Sequence, residues 1–257
     1  MKTSSDKQHR AVFISDLHLG TRSCNAKALL KWLKDNPSRE TYLVGDIIDF
    51  WRKASYWNED QIRVVRHLLK RTITGKVIWV LGNHDEAVAR VALEHIHLEP
   101  SASGSTGLRI VPEAIFQVSS TEKYLVTHGH KADPIVVNWP LLARVAGVGY
   151  DALVYLNRKV NAIRLRLGLS PWSLSKYVKR KAKTSLKILD RFVNHWSSQA
   201  AQQGMAGVIC GHIHTPCIDE VYVDNKFITY VNTGDWVESN SAVIQREYGS
   251  DLELSTL

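Results

Sequence analysis

Short apolar runs alternate with amphipathic ones through the first half of the chain. Ala11–Ser15, Thr41–Val44 and Lys76–Val80 are each a few residues long, and each closes on a polar turn. Runs of that length bounded by turn residues predict β-strands. Between them, the spacing of apolar positions predicts helices over Asn25–Asp35 and Glu59–Ile73. Asn58 and Gln61 resemble a capping box that opens the second helix. This strand–helix–strand rhythm predicts an α/β sheet with functional loops at its strand ends. The Ser/Gly-rich run Ser101–Gly107 reads as a loop, after which Leu108–Ile110, Ala114–Val118 and Tyr124–Thr127 are expected as antiparallel strands.

The pattern changes between Pro134 and Gln203. Leu153, Leu156, Val160, Ile163 and Leu167 recur at helical spacing, Gly168 to Pro171 interrupts them, and Leu186, Leu189, Val193 and Trp196 resume the period. Lys176, Arg180, Lys183 and Lys187 form a separate stripe at the same spacing. Residues 134–203 are therefore expected to be a helical insertion, with one apolar and one basic face, inside a single domain spanning residues 1–257. Strands return through Val208–Cys210, Glu220–Val223, Phe227–Val231 and Ala242–Glu247.

With 44% apolar and 23% charged residues over 257 positions, the chain is neither disordered, collagen-like nor a long coiled coil. Three cysteines cannot build a disulfide framework, which points to a reducing compartment. Met1–Arg10 lacks the apolar core of a signal peptide, and the apolar stretch Pro134–Leu156 is broken by Arg144, Asp151 and two prolines. The expected location is the cytoplasm, with the inner membrane face as a peripheral site. Charge sharpens that expectation. From Lys131 to Gln203 there are 13 basic and three acidic residues, a balance of +10, against +8 for the whole chain. Such a segment attracts something anionic: a phosphorylated substrate, a membrane surface or, less favoured, nucleic acid.

Six of the eleven histidines fall in five compact motifs together with several acids. These are Asp16-Leu17-His18, Gly45-Asp46, Gly82-Asn83-His84-Asp85, His128-Gly129-His130 and Gly211-His212-Ile213-His214. Four directly follow a predicted strand. In D-x-H and H-x-H an extended backbone would aim both side chains the same way. Carboxylate, imidazole and an Asn carbonyl together suit a divalent ion such as manganese, iron or zinc. A rival zinc site, Cys210-x-His212-x-His214-x-x-Cys217, would leave Asp16, Asp46, Asn83 and His128 without a role.

The order D-x-H, G-D, G-N-H-D, H-G and G-H-x-H resembles the calcineurin-like metallophosphoesterases. The resemblance implies a four-layer α/β/β/α sandwich holding two divalent ions, manganese foremost. It implies one ion on Asp16, His18 and His214, a second on Asn83, His128 and His212, and Asp46 between them. It implies that His84 faces the scissile phosphate, with Asp85 orienting it. Such a pair of ions activates water for in-line attack on phosphorus.

Phe50-Trp51 after Gly45-Asp46-Ile47-Ile48-Asp49, the helical insertion and Gly234-Asp235-Trp236 are similar to the UDP-2,3-diacylglucosamine pyrophosphohydrolase branch. In that branch the insertion covers the site and receives acyl chains. The resemblance makes Trp51, Lys176, Arg180 and Lys183 candidate substrate contacts. At two positions the chain departs from the branch: His84 stands where the branch has Arg, and His130 where it has Asp. The expectation is therefore a paralogue acting on a lipid-linked or nucleotide-linked phosphate. The alternatives are a nuclease or cyclic-nucleotide phosphodiesterase, with Trp172, Tyr177 and Trp196 stacking on bases, or a non-catalytic scaffold.

Overall fold

The computed structural model describes residues 8–50, 56–85, 106–133, 156–157, 159–170 and 184–257. Two sheets face one another. The first has six strands in the order β11 (Leu252–Thr256), β10 (Ser241–Arg246), β1 (His9–Ile14), β2 (Ser38–Val44), β3 (Lys76–Val80) and β4 (Gly107–Val111). The second has five, in the order β5 (Ala114–Gln117), β6 (Lys123–Val126), β7 (Gly207–Cys210), β9 (Lys226–Asn232) and β8 (Cys217–Val223). The strands β1 to β4 run parallel, as do β6, β7 and β9, and the remaining pairs are antiparallel.

Alternation along the strands builds three apolar layers. Ala11 and Phe13 of β1, Tyr42 and Val44 of β2, and Ile78 and Val80 of β3 meet Phe116, Tyr124, Val126, Ile209 and Val231 of the other sheet. The opposite faces are covered by helices. Val12, Ile14, Leu43 and Val77 pack on α1 (Ala26–Asp35) and α2 (Glu59–Thr74). Leu125, Val208, Cys210, Ile228 and Tyr230 pack on α3 (Thr184–Gln202) through Phe192, Trp196 and Ala200. The result is the expected four-layer α/β/β/α sandwich. Its central strands, among them β1, β2, β3 and β7, are buried on both faces along most of their length, which is why they read as continuous apolar runs. Each fully buried Leu, Ile or Phe contributes about 1.5–3 kcal/mol.

Three expectations are refined. β4 pairs in parallel with β3 in the first sheet, whereas β5 and β6 form an antiparallel pair in the second. The short connection between β4 and β5 therefore crosses from one sheet to the other. β11 extends the first sheet at its β10 edge beyond the strands expected from sequence. The capping box is half realised. Asn58 Oδ1 accepts from the Gln61 backbone N–H at 2.9 Å. The Gln61 side chain instead accepts from Gly20 N at 3.0 Å and donates to the Thr21 carbonyl at 2.7 Å. It thereby pins the loop after β1 to α2.

α3 lies within the segment expected as an insertion and serves as the outer layer of the second sheet. Leu156, Ile163 and Leu167 are exposed by 57%, 57% and 69%, so these members of the apolar row do not pack on either sheet. Leu153, Trp172 and Tyr177 lie outside the described residues.

Candidate metal centre

The β1–β2 pairing does not stop where the strands end. Asp16 N donates to Gly45 O at 3.0 Å, His18 N to Asp46 O at 3.0 Å and Leu19 N to Ile47 O at 2.9 Å. The two loops run on side by side and bring the D-x-H motif against the G-D motif. The expectation of an extended backbone in D-x-H is corrected here. Asp16, His18 and Asp46 are left-handed, with φ of 53°, 46° and 53°, as are His212 and His214 at 67° and 57°. Each such residue costs about 1–2 kcal/mol relative to a right-handed one. Strain of this kind persists only where the surroundings over-determine it, and it collects at functional sites. Here Leu17 and Leu19 enter the apolar core, while Asp16 and His18 are left to meet His214.

Three overlapping groups result: Asp16, His18 and His214; His18, Asp46 and His84; Asp46, His128 and His212. Within each group the potential ligand atoms lie within 4.8 Å of one another. His18 and Asp46 each belong to two groups, so the groups form one continuous cluster. His212 and His214 fall in different groups, and Cys210 is buried in the apolar layer under α3. The rival Cys/His zinc site is therefore not assembled. Asn83 is buried on the loop that carries His84 and Asp85.

Packing around the cluster leaves no slack. Gly45 has a φ of 80°, and a Cβ there would lie 2.3 Å from the His128 ring. A Cβ on Gly82 would lie 2.2 Å from Asp46 Oδ1. Only glycine lets these two loops close on the ligands.

The cluster is built for cations. Burial disfavours the Asp16 carboxylate, but His214 and His128 outweigh it and hold its pKa below the usual range. Asp46 is likewise disfavoured by burial and held well down by His128 and His84. Burial works against charge on His128 too, yet Asp46 and Asp16 push it up to about 10. Two buried carboxylates thus remain ionised and draw positive charge onto their neighbours. The hydrogen bonding is unfinished. Asp16 Oδ1 and His128 Nε2 are buried without a hydrogen-bond partner, although His214 Nε2 lies 2.9 Å from the first and Asp46 Oδ2 lies 3.2 Å from the second. His128 Nδ1 is 2.9 Å from the Val44 carbonyl, which accepts its proton and leaves Nε2 to face Asp46. Lone pairs converging on shared space are the arrangement that a divalent ion satisfies, so the residues present fit the metals.

Not every role implied by the resemblance finds the expected neighbour. Asp85 accepts from Ile47 N at 3.1 Å, Ile48 N at 3.2 Å, Gly82 N at 3.0 Å and Trp79 Nε1 at 3.2 Å. It ties the β2 and β3 loops together. The carboxylate against the His84 ring is Asp49, whose Oδ1 lies 3.2 Å from Nδ1. Burial alone would lower the His84 pKa, but Asp46 and Asp49 together raise it above the ordinary value. Asp235, buried behind His214, caps its own turn by accepting from Val237 N at 2.7 Å and places Oδ2 3.7 Å from His214 Nδ1. Asp49 and Asp235 sit inside motifs visible in the sequence, but nothing local marks them as partners of these two histidines. His130 is next to His128, with ring centroids 5.6 Å apart, and joins none of the three groups. Burial and the charge on His128 push it down to about 3. Trp51, Lys176, Arg180 and Lys183 lie outside the described residues.

Comparison with known proteins finds a matching family and distant relatives. The family model described as calcineurin-like phosphoesterase matches residues 9–216, more than half of the chain. The UDP-2,3-diacylglucosamine hydrolase of Aeromonas salmonicida (strain A449) is 21% identical over 255 residues, covering 96% of this chain and 93% of its own. The protein of the same description from Neisseria meningitidis serogroup B (strain MC58) is 24% identical over 247 residues, covering 91% and 93%. Among solved structures, an archaeal phosphodiesterase aligns at 14% identity with a TM-score of 0.45, covering 96% of this chain and 99% of its own.

Proposed function

The chain belongs to the calcineurin-like phosphoesterases, a family of metal-dependent hydrolases, and on that premise we propose that it is a two-metal enzyme. Its bond is a phosphoester or pyrophosphate in a lipid-linked or nucleotide-linked substrate such as UDP-2,3-diacylglucosamine. The observation that carries the reading is the continuous Asp/His cluster in which Asp46 belongs to two groups. Asp16, His18 and His214 would hold one ion, Asn83, His128 and His212 the other, and Asp46 both. Manganese is the ion favoured by this mixture of carboxylate, imidazole and amide donors.

When bound, two such ions supply a lowered water pKa and neutralise phosphate charge. The chain's residues do the rest. Asp46 takes its place in two groups because its Oδ1 is anchored by the His84 backbone N–H at 2.8 Å. Asp16 is anchored through Oδ2 by the His212 backbone N–H at 3.0 Å. His84, whose pKa Asp46 and Asp49 raise against the effect of burial, would present positive charge to the phosphoryl oxygens or a proton to the leaving oxygen when protonated.

The substrate class rests on the relatives named above and on the insertion. Its exposed leucines and isoleucine beside a local charge of +10 suit an acyl chain and an anionic headgroup. Among the described residues no helix is long and apolar enough to cross a membrane. The attachment proposed is peripheral, through these exposed apolar and basic residues at the inner membrane face. The test is hydrolysis by purified, manganese-loaded protein of UDP-diacylglucosamine, UDP-sugars without acyl chains, cyclic nucleotides and single-stranded DNA. A preference for the acylated substrate is expected. Faster cleavage of DNA or cyclic nucleotides would replace this substrate class with the nuclease or phosphodiesterase alternative.

A further inference from the structure

The group of Asp46, His128 and His212 has a support that the reading above does not use. His212 Nε2 lies 3.0 Å from Asp133 Oδ2, and both side chains are largely buried, at 10% and 19% exposure. With the Asp133 oxygen as acceptor, Nε2 is the donor of this hydrogen bond. The lone pair of the ring is then on Nδ1. We propose that Asp133 is a positioning residue for the second metal ion. It sets the tautomer and tilt of His212 so that Nδ1 is the nitrogen offered to the ion. This rests on the two-metal reading and deepens it.

The surroundings of Asp133 are built to hold it there. After His128, Gly129 is left-handed, and His130–Ala132 forms a short 3-10 turn. Asp133 N closes that turn onto the His130 carbonyl at 3.0 Å. The turn is clamped on α3 by a hydrogen bond from Trp196 Nε1 to the Gly129 carbonyl at 3.0 Å. Phe192 of the same helix presses on Gly129, where a Cβ would lie 2.4 Å from its ring. The Phe192 ring also stacks on His212, with centroids 6.0 Å apart and planes at 25°. On the backbone side, His212 N is tied to Asp16 Oδ2. His212 is thus gripped on its ring face, its backbone and one ring nitrogen, and Asp133 alone of these contacts decides which nitrogen bears the proton.

The experiment uses the full chain and manganese chloride alone. Ions bound per chain, the affinity of each by chelator competition, and the paramagnetic resonance signal of a coupled manganese pair are measured for wild type, Asp133→Ala and Asp133→Asn. The wild type is expected to take up two ions. In Asp133→Ala the first ion should stay and the second weaken by about 10–100-fold, so that the coupled signal gives way to that of a single ion. Asp133→Asn keeps the volume and one oxygen acceptor but not the charge. It should fold like the wild type and show a smaller weakening of the second ion alone. Wild-type affinity for the second ion in either folded variant would overturn the role of Asp133. A wild-type chain that binds a single ion would instead overturn the two-metal reading itself.

Discussion

His84 Nδ1 stands 3.2 Å from Asp49 Oδ1, in a pocket where both side chains are almost wholly buried. The contact joins the G-N-H-D loop after β3 to the end of the G-D-I-I-D loop after β2. It leaves His84 Nε2 toward Asp46, at 3.8 Å. His84 is close enough to His18 and Asp46 to be counted among ligands, so its role is open to direct test. His84→Ala is expected to keep both ions and to lose about 10²–10⁴-fold in kcat, the scale of a general acid or charge stabiliser. Asp49→Asn should lose less, with both ions retained. Metal analysis beside steady-state kinetics checks this, and loss of an ion from His84→Ala would make the residue a ligand.

Asp46 is where the groups meet. Asp46→Ala is expected to lose metal and activity together, because one carboxylate serves two groups and is also the acceptor for His84 N. Two ions retained at normal turnover would refute the shared role.

Asp85 is a structural tie. Its carboxylate takes hydrogen bonds from Ile47, Ile48, Gly82 and Trp79 in a fully buried place. Asp85→Ala orphans those donors at about 1–3 kcal/mol for each one left unsatisfied. The expected result is a thermal midpoint well below that of the wild type, beyond what His84→Ala causes. Equal melting of the two variants would show that the tie is not needed.

The basic stripe carries a prediction drawn from its spacing. Reversing Lys176, Arg180, Lys183 and Lys187 to Glu should abolish co-sedimentation with anionic vesicles, at about 1 kcal/mol for each basic residue near such a surface. The comparison is made at matched ionic strength. Unchanged sedimentation would return the stripe to a solvated helix face.

The order of residues along the chain specifies the strands and the chemistry they carry. An apolar run of four or five residues closing on a polar turn is local information, and β1, β2, β3, β6 and β7 were all legible from it. The same is true of the motifs, because Asp16, His18, Asp46, His84, His128, His212 and His214 cluster within a few positions of strand ends. Partnership is not local and is settled only when distant segments pack together. β4 and β5 have similar apolar patterns only a few residues apart, and which sheet each joins depends on the edge that β3 or β6 leaves open. The left-handed steps at Asp16, His18 and His214 carry no signature, since these residue types are ordinary in any turn. At Asp16 and His18 they accompany Leu17 and Leu19 going into the core. Asp49, Asp133 and Asp235 looked like any other acids, because what makes each of them matter is an imidazole delivered from a distant part of the chain.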